Sequence, residues 1–114
     1  MSKLIHRVTL FKIPGAENQA KALAAYEKLA KEQNKDGKPY IAYLSAGIAQ
    51  EDARNKGYTV VAQSKFFSQE DLRFYDESCA AHQALKATVK TLKPEEPPLT
   101  VYFEGEPAID LTKA

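Results

Sequence analysis

Histidine and tyrosine side chains can move a proton, and three placed to act together are His6, His82 and the tyrosine two helical turns before it, Tyr75. The chain holds only two histidines, and both belong to this set. Taking a proton from a carbon next to a carbonyl needs a base for the proton and a donor for the enolate oxygen that develops. A neutral imidazole, with an ordinary pKa of ~6.5, suits the first role, and a phenolic hydroxyl suits the second. Tyr75, Cys79 and His82 fall at i, i+4 and i+7, one face of an unbroken helix. His6, inward on the first strand, would meet them from below.

Each residue also has a packing role to set against the chemical one. A core histidine can satisfy itself on a neighbouring carbonyl, a tyrosine can seal an amphipathic helix, and His82 can flank a helix turn. Cys79 has no activating base beside it in sequence and reads as a small buried filler rather than a nucleophile. No HxH or HxxxH spacing joins the histidines and carboxylates into a metal site, and none is expected. The glycines at 15, 37, 47, 57 and 105 are scattered and form no phosphate-binding loop. No cofactor is implied.

The elements that must position these groups follow from periodicity. Residues 3 to 13 (KLIHRVTLFKI) read as a strand stopped by Pro14 and Gly15. One of its faces carries Leu4, His6, Val8 and Leu10, and the other Ile5, Arg7, Thr9 and Phe11. The first is the cleaner apolar face. Glu17 to about Gln33 is an alanine-rich helix ended by Asn34 to Pro39, with Ala22, Ala25 and Leu29 at helical spacing beside Leu23, Tyr26 and Ala30. Tyr40 to Gln50 and Gly57 to Phe67 are strands joined by six polar residues, too few for a crossover helix, so they form an antiparallel hairpin.

Ser68 and Asp71 read as a capping box opening a helix that runs to about Leu92, with a candidate interruption near Ser78. Leu72, Tyr75 and Cys79 share a stripe that His82, Leu85, Val89 and Leu92 extend. Phe66, Phe67 and Phe74 read as core aromatics. Lys93 to Pro98 cannot continue a helix, and Leu99 to Gly105 is a last strand. The stretch after Pro107 has little pattern and is placed to frame or cross a partner. The order β-α-β-β-α-β makes a ferredoxin-like α+β unit, one domain over residues 1–114.

Composition narrows the function classes. With 16 Lys and Arg against 15 Asp and Glu, the formal charge of +1 offers no basic field for nucleic acid. No apolar run reaches the ~18 residues of a membrane span, and no secretory signal opens the chain. One cysteine excludes a disulfide framework. The expectation is a soluble cytoplasmic domain. A four-stranded sheet with helices on one face leaves its other face open, and either β1 row would leave large apolar residues there. Face-to-face pairing of two chains would bury them and close a barrel, so a homodimer is expected.

The chain resembles the stress-responsive dimeric α+β barrel (A/B barrel, Dabb) family. The likeness rests on Ile5 to Lys12 with its histidine, the Gly57-Tyr58-Thr59 strand entry, Phe67 to Tyr75, and Ala81-His82. Family members commonly carry a tyrosine followed by His-Pro-Ala-His. Here Tyr75 to His82 reads YDESCAAH, which keeps the second histidine, lacks the first and the proline, and is one residue longer. The resemblance implies a small-molecule site at His6, Tyr75 and His82. Its cyclase-type members, olivetolic acid cyclase-like, close polyketide chains without metal or cofactor, on an apolar or aromatic ligand. The alternative it admits is a non-catalytic stress-protective protein, and behind both stands, by fold analogy alone, a cofactor-free monooxygenase.

Overall fold

The computed structural model describes residues 4–105, so the stretch after Pro107 lies outside the described residues. Its elements are β1 (Ile5–Phe11), α1 (Ala16–Glu32), β2 (Ile41–Ile48), β3 (Val60–Phe66), α2 (Gln69–Glu77), α3 (Ala80–Lys90) and β4 (Leu99–Glu104). The sheet runs β2-β3-β1-β4 with every neighbouring pair antiparallel. This is the ferredoxin-like α+β arrangement expected from the order of elements. The polar link between β2 and β3 winds into a short 3₁₀ turn, Ala53–Asn55, capped by the Asp52 side chain on the Arg54 amide.

The helices pack on one face, and β1 alternates across it. Ile5, Thr9 and Phe11 are buried on the helix side, with Arg7 in the same row. On β3 the matching row is Val60, Ala62, Ser64 and Phe66, all buried. Tyr26 and Leu29 from α1, Leu72 and Tyr75 from α2, and Leu85 and Val89 from α3 close the core over them. Phe66 lies inside and Phe74 packs at the edge, whereas Phe67 is exposed.

The opposite face corrects one expectation. The row of Leu4, His6, Val8 and Leu10 points away from the helices, so His6 is not inward. In register it continues into Lys65 and Tyr43 on one side, and Leu99, Val101 and Phe103 on the other. Leu99, Val101, Phe103 and Tyr43 are between 45% and 52% exposed, an apolar surface too broad to be incidental.

The helix boundaries carry their own chemistry. Ser68 accepts from the Asp71 amide at 3.1 Å, as the capping pattern requires. The reciprocal half of the box is absent among the described residues, because the Asp71 carboxylate pairs with Lys35 at 2.9 Å instead. The long second helix breaks at Ser78 and Cys79 into α2 and α3. Both the Ser78 and Cys79 amides turn back to the Phe74 carbonyl, at 2.8 and 2.9 Å.

Candidate ligand cavity and active site

Between the sheet and the inner sides of α1 and α3 lies a cavity of about 510 Å³. Its floor is Arg7, Thr9 and Phe11 of β1 with Thr100 of β4; Tyr26 and α3 form the walls. The Pro94–Pro98 segment covers it. That cover is tied to the end of β1 by the Glu95 amide on the Lys12 carbonyl and by Lys12 Nζ on Glu96, both at 2.9 Å. Phe11, Leu85, Val89 and the prolines make most of the lining apolar, and on the floor Arg7, Thr9 and Thr100 form one hydrogen-bonded polar cluster.

His82 is 3% exposed and lines this cavity. Its ring stacks on that of Tyr75, with centroids 3.7 Å apart and planes 16° from parallel. Nδ1 lies 2.8 Å from the Tyr75 carbonyl oxygen. A carbonyl can only accept, so the proton belongs on Nδ1 and the lone pair on Nε2. Burial is the main force lowering the His82 pKa to about 4; the Tyr75 hydrogen bond opposes it, and the charges of Arg7 and Lys86 push with it. The imidazole is therefore neutral throughout the physiological range.

Tyr75, 1% exposed, is the plate on which this arrangement rests. Its ring also touches Phe66, and the Arg7 guanidinium lies 5.0 Å above its centroid. Burial raises its hydroxyl pKa well above the ordinary value. Tyr26 is pushed up to about 12 by burial, with Arg7 opposing, so its hydroxyl remains a proton donor. Arg7 donates from Nη1 to Thr9 Oγ1 at 2.8 Å and pairs through Nη2 with Asp76 at 3.2 Å.

Of the three residues singled out from sequence, the structure brings Tyr75 and His82 together and leaves His6 apart. His6 stacks on Phe103 across the open face, with centroids 4.8 Å apart, and its Nδ1 is buried with no partner among the described residues. The expected approach from below is made by Arg7 instead. Arg7, Thr9, Tyr26 and Thr100 were all passed over by sequence reasoning. One signal pointed to them: a lone arginine in a strand row otherwise made of Ile5, Thr9 and Phe11.

Comparisons with known proteins bear on the family and the fold. A family model described as the stress responsive A/B barrel domain (Dabb) matches residues 5–96. A fusaristatin A biosynthesis cluster protein of Gibberella zeae is 37% identical over 102 residues, covering 90% of this chain and 73% of that protein. A hydroxynitrile lyase from Passiflora edulis superposes with a TM-score of 0.74 at 13% identity, over 96% of this chain and 100% of that one. A dimeric ferredoxin-like protein of unknown function from Thermobifida fusca gives 0.71 at 16% identity, over 91% of this chain and 92% of that one. At such identities the two structures speak for the fold alone.

Proposed function

The chain belongs to the stress responsive A/B barrel family, and from that premise we propose that it takes a small, largely apolar molecule into the cavity above the sheet. There it would act on an acidic C–H of that molecule by acid–base chemistry without a cofactor, as in aldol-type cyclisation of a polyketide-like chain. The observation that carries this reading is His82, a cavity-lining imidazole whose proton is held at Nδ1 by the Tyr75 carbonyl. Nε2 is then the base. Tyr75 is its positioning residue, through ring and carbonyl together. The enolate oxygen would be met by the Tyr26 hydroxyl or the Arg7 guanidinium, both of which line the same space. His6 has no part in this chemistry.

His6 belongs instead to the surface of a homodimer. The half-exposed row of Leu99, Val101 and Phe103 beside Tyr43 is the face a second copy would cover, and a structurally similar protein from Thermobifida fusca is dimeric.

One observation favours a binding-only version of the site: an imidazole with a pKa of about 4 is a weak base. Deuterium exchange decides between them. In deuterated buffer at pH 7, the C2 position of an aryl β-keto ester should exchange faster with the protein than without it, and His82→Gln should abolish the difference. Binding of that ester without any accelerated exchange would remove catalysis and leave a ligand carrier. Failure to bind such compounds at all would remove the cavity reading.

A further inference from the structure

We propose that the polar end of the cavity is a carboxylate seat built on Arg7, so that the ligand is an amphiphilic acid with an apolar or aromatic body. This rests on the reading of the cavity as a ligand site and adds the chemical class of what enters it.

The guanidinium is the anomaly that calls for an acceptor. Its side chain is only 11% exposed, yet of its five N–H groups one is donated to Thr9 and one is directed to Asp76. Among the described residues the other three make no hydrogen bond; Nε is sealed from solvent and the Tyr75 ring lies against the face of the group, so the donors left for a ligand are those on Nη1 and Nη2. Asp76 does not satisfy this cation. Its side chain is 40% exposed and offers one oxygen at 3.2 Å rather than a two-pronged pairing. A cation held this far from water with donors unused is costly, and an anion brought by a ligand would relieve the cost.

The neighbours fit the same occupant. Thr9 Oγ1, which accepts from Arg7, is 3.2 Å from Thr100 Oγ1, and both threonines line the cavity. Thr9 already accepts from Arg7, and whichever threonine donates in the contact between the two, the other partner keeps a hydroxyl hydrogen that a ligand oxygen can take. Lys86 and Lys90 add positive charge on the α3 wall. Of the two facing acids, Glu95 and Glu96, the second is already paired with Lys12. A planar monoanion suits the guanidinium edge, whereas a doubly charged phosphate would be repelled by Asp76 on the same group. The apolar lining from Phe11, Leu85, Val89 and Pro97 would hold the body.

The test is calorimetric titration of the full chain with 4-phenylbutyrate and with its uncharged twin, 4-phenylbutyramide, at pH 7.5. The acid should bind on the order of ten- to a hundred-fold more tightly, the range of a charge-assisted hydrogen-bonded pair. Arg7→Gln should bring the two affinities together, and Arg7→Lys, which keeps the charge without the fork, should retain part of the preference. The comparison in the unaltered protein is decisive even where Arg7→Gln folds poorly. Equal affinities there would overturn the seat while leaving the cavity reading intact. An undiminished preference in a folded Arg7→Gln would place the anion on the rim lysines and overturn it too. Absence of binding by both compounds would end the cavity reading and the seat together.

Discussion

Burying His82 neutral has a consequence for the stability of the whole fold in acid. In the unfolded chain its imidazole titrates near the ordinary 6.5, and in the folded protein near 4. Between those values the unfolded state binds the extra proton, so stability falls as pH falls from about 6.5 and the loss is complete near 4. At ~1.36 kcal/mol per pH unit the whole gap is worth about 3 kcal/mol, and about 2 kcal/mol of it is gone by pH 5. That is a large part of the ~5–15 kcal/mol that holds a domain of this size together.

The measurement is urea unfolding at pH 7.5, 6 and 5, followed by far-ultraviolet circular dichroism, for the unaltered chain and His82→Gln. Glutamine carries an N–H that can serve the Tyr75 carbonyl, and it does not titrate. Carboxylates titrate in both proteins and cancel in the difference. The stability advantage of the unaltered chain should shrink by about 2 kcal/mol between pH 7.5 and 5. A difference that stays constant across that range would refute the reasoning, because it would mean that His82 titrates alike in the folded and unfolded chains.

Three further outcomes are expected. Tyr75→Ala removes the plate between Phe66, Arg7 and His82 and should cost ~3–5 kcal/mol in denaturant unfolding, with the His82 titration midpoint moving up towards 6.5 by NMR. A Cβ at Gly105 would land on His6 Nε2, so Gly105→Ala should destabilise by ~1–3 kcal/mol, and adding His6→Ala should recover most of it. Phe103→Glu, placed on the apolar open face, should give a monomer by sedimentation velocity at concentrations where the unaltered chain sediments as a dimer.

Most of the fold was legible because its elements obey separate local rules. Gly15 takes φ 84° ahead of α1, Ser68 caps α2, and Pro94, Pro97 and Pro98 forbid helix between α3 and β4. The orientation of β1 was not legible. Period-two alternation names the two rows of a strand but not which one faces the helices, and here each row holds large apolar residues. Counting apolar residues favoured the Leu4, His6, Val8 and Leu10 row. The fold turns the other row inward, where Phe11 meets Tyr26 and where Thr9, Asp76 and the Tyr75 ring offset part of the cost of burying Arg7. A charge inside is tolerated only when partners such as Asp76 and Tyr75 come to it from distant parts of the chain, and no local pattern announces that convergence.

The same limit explains why the Tyr75 and His82 pair was legible while its geometry was not. In an unbroken helix the Tyr75 carbonyl would accept the amide of Cys79, four residues on. The break sends that amide back to Phe74, together with that of Ser78. Tyr75 thus lies within the last turn of α2, where carbonyls lack partners within the helix, and His82 Nδ1 supplies one. The interruption within YDESCAAH is therefore what leaves the Tyr75 carbonyl free to accept from the imidazole and fix its tautomer. Helical spacing put the tyrosine and histidine on one side, and the break gave the histidine its orientation. A substitution that restores a continuous helix through Ser78 and Cys79 would take the carbonyl away and leave His82 with no group among the described residues to hold its proton at Nδ1.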